Sequence, residues 1–301
     1  MKISEEIIKL KKERNAVILA HNYQSPEIQD IADFIGDSLE LSRVASKVPQ
    51  KVIVFCGVKF MAEIAYILAP EKTVLLPDIT AGCPLAETVT PDDVRRKKEF
   101  YPGVPAVTYV NTNAEVKAES DYCCTSANAV EVVKKIPQKE ILFFPDEHLG
   151  DHVKYKVREK EIHIWPGYCP VHMKILPEDI WREKEKHPQA LVMVHPECRR
   201  EVRKLADEVL STGGMVKIAR ESPKKEFIVG TEVGILYRLK KENPEKSFYP
   251  ANPSAICEDM KKITLEKVLN SLKTLSPTIT LPEDIVKRAY KAIQRMVETL
   301  A

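Results

Sequence analysis

The chain has 301 residues, 44% hydrophobic and 30% charged, with 46 basic against 44 acidic side chains and a formal charge of +2. That balance provides for a packed core, excludes an intrinsically disordered chain and gives no field that would hold nucleic acid or an anionic membrane. No apolar run approaches the roughly 20 residues of a membrane span, and MKISEEIIKLKKER opens a charged amphipathic helix rather than a signal peptide, so a cytoplasmic protein is expected.

After that helix, VILAHNY at 17–23 reads as a buried strand ending in polar residues, KVIVFCG at 51–57 as a second, and TVLLPD at 73–78 as a third ending at a proline. The trio recurs as AVTYVNT at 106–112, EILFFPD at 140–146 and HIWPG at 163–167. It recurs again as LVMVHPE at 191–197, EFIVGTE at 226–232 and SFYPAN at 247–252. Helical stretches separate the strands, so each trio predicts βαβ units around a small parallel sheet. The predicted fold is α/β: three pseudo-threefold-related domains, 1–84, 85–170 and 171–260, each a small parallel sheet flanked by helices, meeting at a central active site and followed by a helical extension over 261–301.

Superposing the three first strands aligns polar residues. His21, Tyr109 and His195 form one column, spaced 88 and 86 residues apart. Two residues beyond them stand Tyr23, Asn111 and Glu197, and seventeen beyond stand Ser38, Ser126 and Thr212. One cysteine follows each third strand: Cys83, Cys169 and Cys257, spaced 86 and 88 residues apart. Functional groups of open α/β sheets gather outside the carboxyl ends of the strands, so three such sheets around one axis would bring these columns to a shared cleft.

Seven cysteines without a CxxC pair argue against a zinc ribbon, a thioredoxin-like centre or a disulfide framework. Cys56 reads as core, Cys123 and Cys124 lie outside the repeat column, and Cys198 has no repeat partner. Three convergent thiolates suit a soft metal. On a [4Fe–4S] cluster they would leave one iron open as a Lewis acid, which favours chemistry over electron transfer, where all four positions are usually closed by cysteine. His21, Tyr109 and His195 can supply donors and proton shuttles around an anion. Glu197, the one carboxylate of its column, is expected to be raised in pKa toward a general base. Ser38 and Ser126 read as helix N-caps, and with Thr212 they could hold a multiply anionic ligand. GxGxxG, Walker and HExxH motifs are absent, and His148 and His152, with Asp151, have metal spacing but no evident further ligand. Two alternatives remain: an iron–sulfur hydro-lyase acting on a small di- or tricarboxylate, and a non-enzymatic iron–sulfur redox protein.

AHNYQ at 20–24, GDSLELS at 36–42, YVNTNAEVKAESD at 109–121, CTSANA at 124–129, HPEC at 195–198, STGGM at 211–215, GTEVG at 230–234 and CEDMKKITLEK at 257–267 resemble, in order across nearly the whole chain, the quinolinate synthetase A family. The resemblance implies three α/β domains about a pseudo-threefold axis and a [4Fe–4S] cluster on Cys83, Cys169 and Cys257. It implies condensation of iminoaspartate with dihydroxyacetone phosphate to quinolinate, with loss of phosphate and water, in de novo NAD synthesis. A functional link to the enzyme that supplies iminoaspartate goes with it. His21, Ser38, Tyr109, Val110, Asn111, Ser126, His195, Pro196, Glu197 and Thr212 would line the substrate pocket, with Tyr23 and His172 as further members. Tyr23, Tyr109, His195 and Glu197 would be the catalytic residues.

Overall fold

Strands buried on both faces need helices above and below them, and the apolar runs of this chain are placed accordingly. In the computed structural model, which describes residues 2–298, the first sheet holds β1 (Ala16–His21), β2 (Phe34–Gly36), β3 (Val52–Cys56) and β4 (Thr73–Leu75). The second holds β5 (Ala106–Tyr109), β6 (Tyr122–Cys124), β7 (Glu140–Phe144) and β8 (Glu161–Ile164). The third holds β9 (Leu191–Val194), β10 (Glu208–Val209), β11 (Glu226–Gly230) and β12 (Ser247–Pro250). All three are parallel and share one order, β2-β1-β3-β4, β6-β5-β7-β8 and β10-β9-β11-β12. The α/β architecture of three repeated sheets is therefore observed, with one correction: each sheet has four strands rather than three. The additional ones, β2, β6 and β10, are edge strands of two or three residues, too short to carry a periodic signal.

The repeat extends to side chains that sequence reading passed over. Asp33, Asp121 and Asp207 precede the short edge strands, spaced 88 and 86 residues apart. Each carboxylate accepts the backbone N–H of the neighbouring central strand, at Ile18, Ala106 and Val192, at 2.8 Å in all three cases. Lys72, Lys160 and Lys246, at the same spacing, each reach back to two carbonyls at the end of an earlier helix or just beyond it: Ala45 and Val48, Ile136 and Gln138, Ala219 and Ser222. An ammonium satisfies the orphan carbonyls there and sits favourably in the helix dipole.

Strand alternation divides the core. In the second sheet Val107, Ile141 and Phe143 join the large cluster shared with the first sheet, while Ala106, Leu142 and Phe144 face a separate one with Val89 and Val94. In the third, Val192, Val194 and Ile228 face one cluster and Met193, Phe227 and Val229 another. Ala289, Ala292, Ile293 and Met296 of the last helix, Glu283–Glu298, enter the large cluster, so the C-terminal segment packs on the first two sheets. Among the described residues no helix is long and apolar enough to cross a membrane.

Candidate active site

Because the sheets are parallel, each presents the carboxyl ends of all its strands on one side, and all three open there onto a cavity of about 210 Å³. It is lined by His21, Tyr23, Ser38, Tyr109, Asn111, Ser126, His172, His195, Glu197, Thr212 and the three cysteines Cys83, Cys169 and Cys257. Val110 and Pro196 are not among the lining residues. Val110 is fully buried, and its N–H is taken up by the Cys124 carbonyl at 2.9 Å. Their counterpart in the first repeat is Asn22, which supports rather than lines the cavity: its amide donates to Thr212 Oγ1 at 2.9 Å and accepts from Arg238 at 2.8 Å.

A polar chain runs through groups from all three repeats. The Tyr23 hydroxyl meets Thr231 Oγ1 at 2.6 Å, and Thr231 Oγ1 meets His172 Nε2 at 2.9 Å. His172 Nδ1 lies 3.0 Å from Glu197 Oε2, off the line of a hydrogen bond. Tyr109 donates its hydroxyl to Glu197 Oε1 at 2.5 Å. The His172 and His195 rings stack with centroids 4.7 Å apart. Two of the histidines share a local device: the backbone N–H two residues on donates to the ring Nδ1, from Tyr23 to His21 at 3.2 Å and from Glu197 to His195 at 3.4 Å. A neutral imidazole that accepts at Nδ1 carries its proton on Nε2, and His195 Nε2 stands 3.2 Å from Ser126 Oγ.

Burial keeps the His21 and His195 imidazoles neutral. Burial and then the Lys261 charge lower His21 to about 3. Burial lowers His195 to about 3 against the opposing pull of Glu197. Tyr23 and Tyr109 are pushed well above the usual phenol range, by burial first and the Glu197 charge second. Glu197 departs from the expectation. Burial works to raise it, but His172, His195 and the Tyr109 hydroxyl outweigh burial and hold it below the ordinary carboxylate range. It is an anion held by the Tyr109 hydroxyl and flanked by two imidazoles rather than a carboxyl poised near neutrality.

The hydroxyl column also differs from expectation. Asp37, not Ser38, caps the helix Ser38–Lys47, accepting from Leu39 and Glu40 at 3.0 and 2.9 Å. Asn128 stands at the N-cap of Ala129–Lys135, two residues past Ser126. Ser211 caps Thr212–Glu221 through the Gly214 N–H. The Ser38, Ser126 and Thr212 side chains make none of these capping bonds, and all three residues line the cavity.

The seven cysteines fall into two groups. Cys56, Cys123, Cys124 and Cys198 are fully buried, whereas Cys83, Cys169 and Cys257, all cavity-lining, are partly exposed. Each of the three follows a different sheet, and burial raises Cys83 to about 12 and Cys257 to about 11, with Cys169 also raised. Cys257 adds to the rise at Cys83, and Cys83 to that at Cys169. Three soft sulfur donors turned to one cavity fit a thiophilic metal centre, whose binding would displace the thiol protons. Beside them, donor atoms of Cys169, His172 and Glu197 lie within 4.8 Å of one another. The His148–Asp151–His152 segment is structural: Asp151 binds Arg200 and Arg203, and His148 Nε2 sits 3.2 Å from the Met173 sulfur.

Sequence reading missed Asp37, Thr231, Lys174 and Glu232. Glu232 is fully buried and stands two residues beyond β11, where Val58 and Asp146 stand in the other repeats. Its Oε1 accepts the Cys257 N–H at 3.2 Å and pairs with Lys261 at 2.9 Å, while Oε2 accepts the Gly234 N–H at 2.7 Å. Lys261 also binds the Tyr23 carbonyl. Gly234 packs so close to Tyr23 that a Cβ there would come within 2.5 Å of the Tyr23 carbonyl oxygen. One buried carboxylate thus joins the Cys257 turn to the loop carrying Tyr23. The clue was the position after each second strand, where the three repeats diverge.

A family model described as quinolinate synthetase A protein matches residues 5–298. A quinolinate synthase of Thermodesulfovibrio yellowstonii is 60% identical over 297 residues, covering 99% of this chain and 98% of that protein. One of Dehalococcoides mccartyi is 55% identical over 298 residues, covering 99% and 98%, and one of Methanoregula boonei is 52% identical over 295 residues, covering 98% and 97%. The chain belongs to the quinolinate synthetase A family.

Proposed function

We propose that this chain, as a member of that family, is a quinolinate synthase: it condenses iminoaspartate with dihydroxyacetone phosphate to quinolinate, with loss of phosphate and water, in de novo NAD biosynthesis. The reading makes it a carbon–carbon bond-forming transferase of the cytoplasm, drawing iminoaspartate from the enzyme that makes it. The observation that carries it is the cavity itself, where a buried Tyr–His–Glu network faces the three cysteines that alone are partly exposed.

Cys83, Cys169 and Cys257 are proposed as ligands of a [4Fe–4S] cluster. Such a cluster, when bound by three cysteines, supplies one iron free to act as a Lewis acid toward a carboxylate or hydroxyl. The remaining work falls to the protein. His21 and His195, neutral and protonated at Nε2, donate hydrogen bonds to the carboxylates of iminoaspartate without a competing positive charge. The Ser38, Ser126 and Thr212 hydroxyls add donors that capping no longer claims. Glu197, held ionised, accepts a proton from the condensing carbons, and the Tyr109 phenol 2.5 Å away stabilises the anion before transfer. His172, Thr231 and Tyr23 extend the route from Glu197 along the cavity wall, so protons can be returned to departing oxygens elsewhere on the substrate. Tyr23, Tyr109, His195 and Glu197 are the proposed catalytic residues, and Val110 and Pro196 support the pocket from behind.

Anaerobic, iron- and sulfide-reconstituted protein given both substrates is expected to form quinolinate and phosphate in equal amounts. Hydration or dehydration of a small dicarboxylate alone, with the triose phosphate unconsumed, would identify the hydro-lyase instead.

A further inference from the structure

Iminoaspartate and the triose phosphate bring four negative charges between them into a cavity that already has Asp37, Glu197, Glu232, Glu258 and Asp259 in its wall. Most of those carboxylates are committed to a local partner. Asp37 caps its helix, Glu232 pairs with Lys261, Asp259 pairs with Lys262, and Glu197 has Tyr109 and the histidines. Burial leaves His21 and His195 uncharged. Lys174 is the sole lysine or arginine among the described residues that line the cavity.

Lys174 is also placed to change partners. It ends the short turn His172–Lys174 that follows Cys169, and it is solvent-exposed. Its Nζ donates to the Ser254 carbonyl at 3.1 Å and, more weakly, to the Ile256 carbonyl at 3.5 Å, so both partners are neutral oxygens in the loop before Cys257. Both carbonyls are neutral acceptors, and a phosphate dianion is a far stronger partner for an ammonium than either.

We infer that Lys174 is a specificity-determining residue that binds the phosphate of the triose phosphate, while the hydroxyl and imidazole donors deeper in the cavity take the carboxylates. The assignment rests on the reaction proposed above and adds to it the substrate group that each part of the wall recognises. The turn that carries Lys174 also carries His172, so the phosphate site adjoins the Glu197 relay. When phosphate leaves as product, Nζ returns to the two carbonyls.

The test uses cluster-loaded wild type, Lys174→Ala and Lys174→Arg, with KM measured separately for each substrate and with inorganic phosphate binding measured by calorimetry. Loss of a charge-assisted contact predicts that Lys174→Ala raises KM for dihydroxyacetone phosphate by about tenfold to a hundredfold and weakens phosphate binding in parallel. KM for iminoaspartate should stay within about twofold, and Lys174→Arg should recover most of the loss, since a uniform binding contact is removed rather than a catalytic one. A rise in KM for iminoaspartate alone would make Lys174 a carboxylate anchor. An equal rise for both substrates, or unchanged phosphate binding in Lys174→Ala, would also overturn the assignment. If wild type makes no quinolinate from the two substrates, the proposed reaction fails, and the calorimetric comparison of wild type with Lys174→Ala still decides whether Lys174 binds phosphate.

Discussion

The two ends of the strands follow different rules. At the amino ends the three repeats are chemically identical: Asp33, Asp121 and Asp207 make the same 2.8 Å bond, and Lys72, Lys160 and Lys246 hold the carbonyls of corresponding helix ends. At the carboxyl ends equivalent positions have diverged, to His21, Tyr109 and His195, to Tyr23, Asn111 and Glu197, and to Val58, Asp146 and Glu232. A sheet needs the same hydrogen bonds wherever it forms, so its supports stay symmetric. The proposed substrate pair has no threefold symmetry and needs a different group in each third of the cavity, so symmetry is relaxed there, and the cysteines and the hydroxyls of Ser38, Ser126 and Thr212 are what keep it.

Substitutions at the two ends should therefore separate activity from stability. The largest effect is expected at the carboxyl end: Glu197→Gln keeps the shape but removes the anion, and steady-state assays should show turnover falling by about 10²- to 10⁴-fold while thermal unfolding changes little. A Glu197→Gln enzyme with near-normal turnover would break the comparison. Acid comes next. His21 and His195 have folded pKa values of about 3 against 6.5 in the unfolded chain, so below 6.5 the unfolded state binds protons that the folded state refuses. Stability is then complete above 6.5 and declines as pH falls, by about 1.4 kcal/mol per pH unit for each histidine. Denaturant melts between pH 7 and about pH 5 should show a shallower decline in His195→Asn than in wild type. The smallest effect belongs to the amino end. Asp33→Ala, Asp121→Ala and Asp207→Ala each strand one central N–H and should cost about 1–3 kcal/mol apiece. Similar losses across the three, with KM for both substrates unchanged, would sharpen the picture of a symmetric scaffold, and a KM change would blur it.

Legibility followed the same division. The long central strands were readable because β1, β5 and β9 are continuous apolar runs, and the cavity columns were readable because they sit a fixed distance beyond them. The edge strands Phe34–Gly36, Tyr122–Cys124 and Glu208–Val209 were not, since two or three residues hold no period. The aspartate and lysine columns were present in the sequence at the repeat spacing, but they lie at the strand ends where no chemistry was sought. The charge state of Glu197 could not be read locally, because Tyr109 arrives from the second repeat and His172 from the turn after Cys169. The capping of Ser38 was misjudged because Asp37, one residue earlier, is the stronger acceptor and is already in place.

The proposed function depends on three sheets each contributing one sulfur to a common iron centre. Iron and acid-labile sulfide, determined per chain after anaerobic purification, test this directly in wild type and in the single cysteine variants. Equal amounts of both elements in wild type and in Cys198→Ala, with loss of both in Cys83→Ala, Cys169→Ala and Cys257→Ala alike, is the predicted result. Zinc in place of iron, or a full complement retained by any one of those three variants, would contradict it.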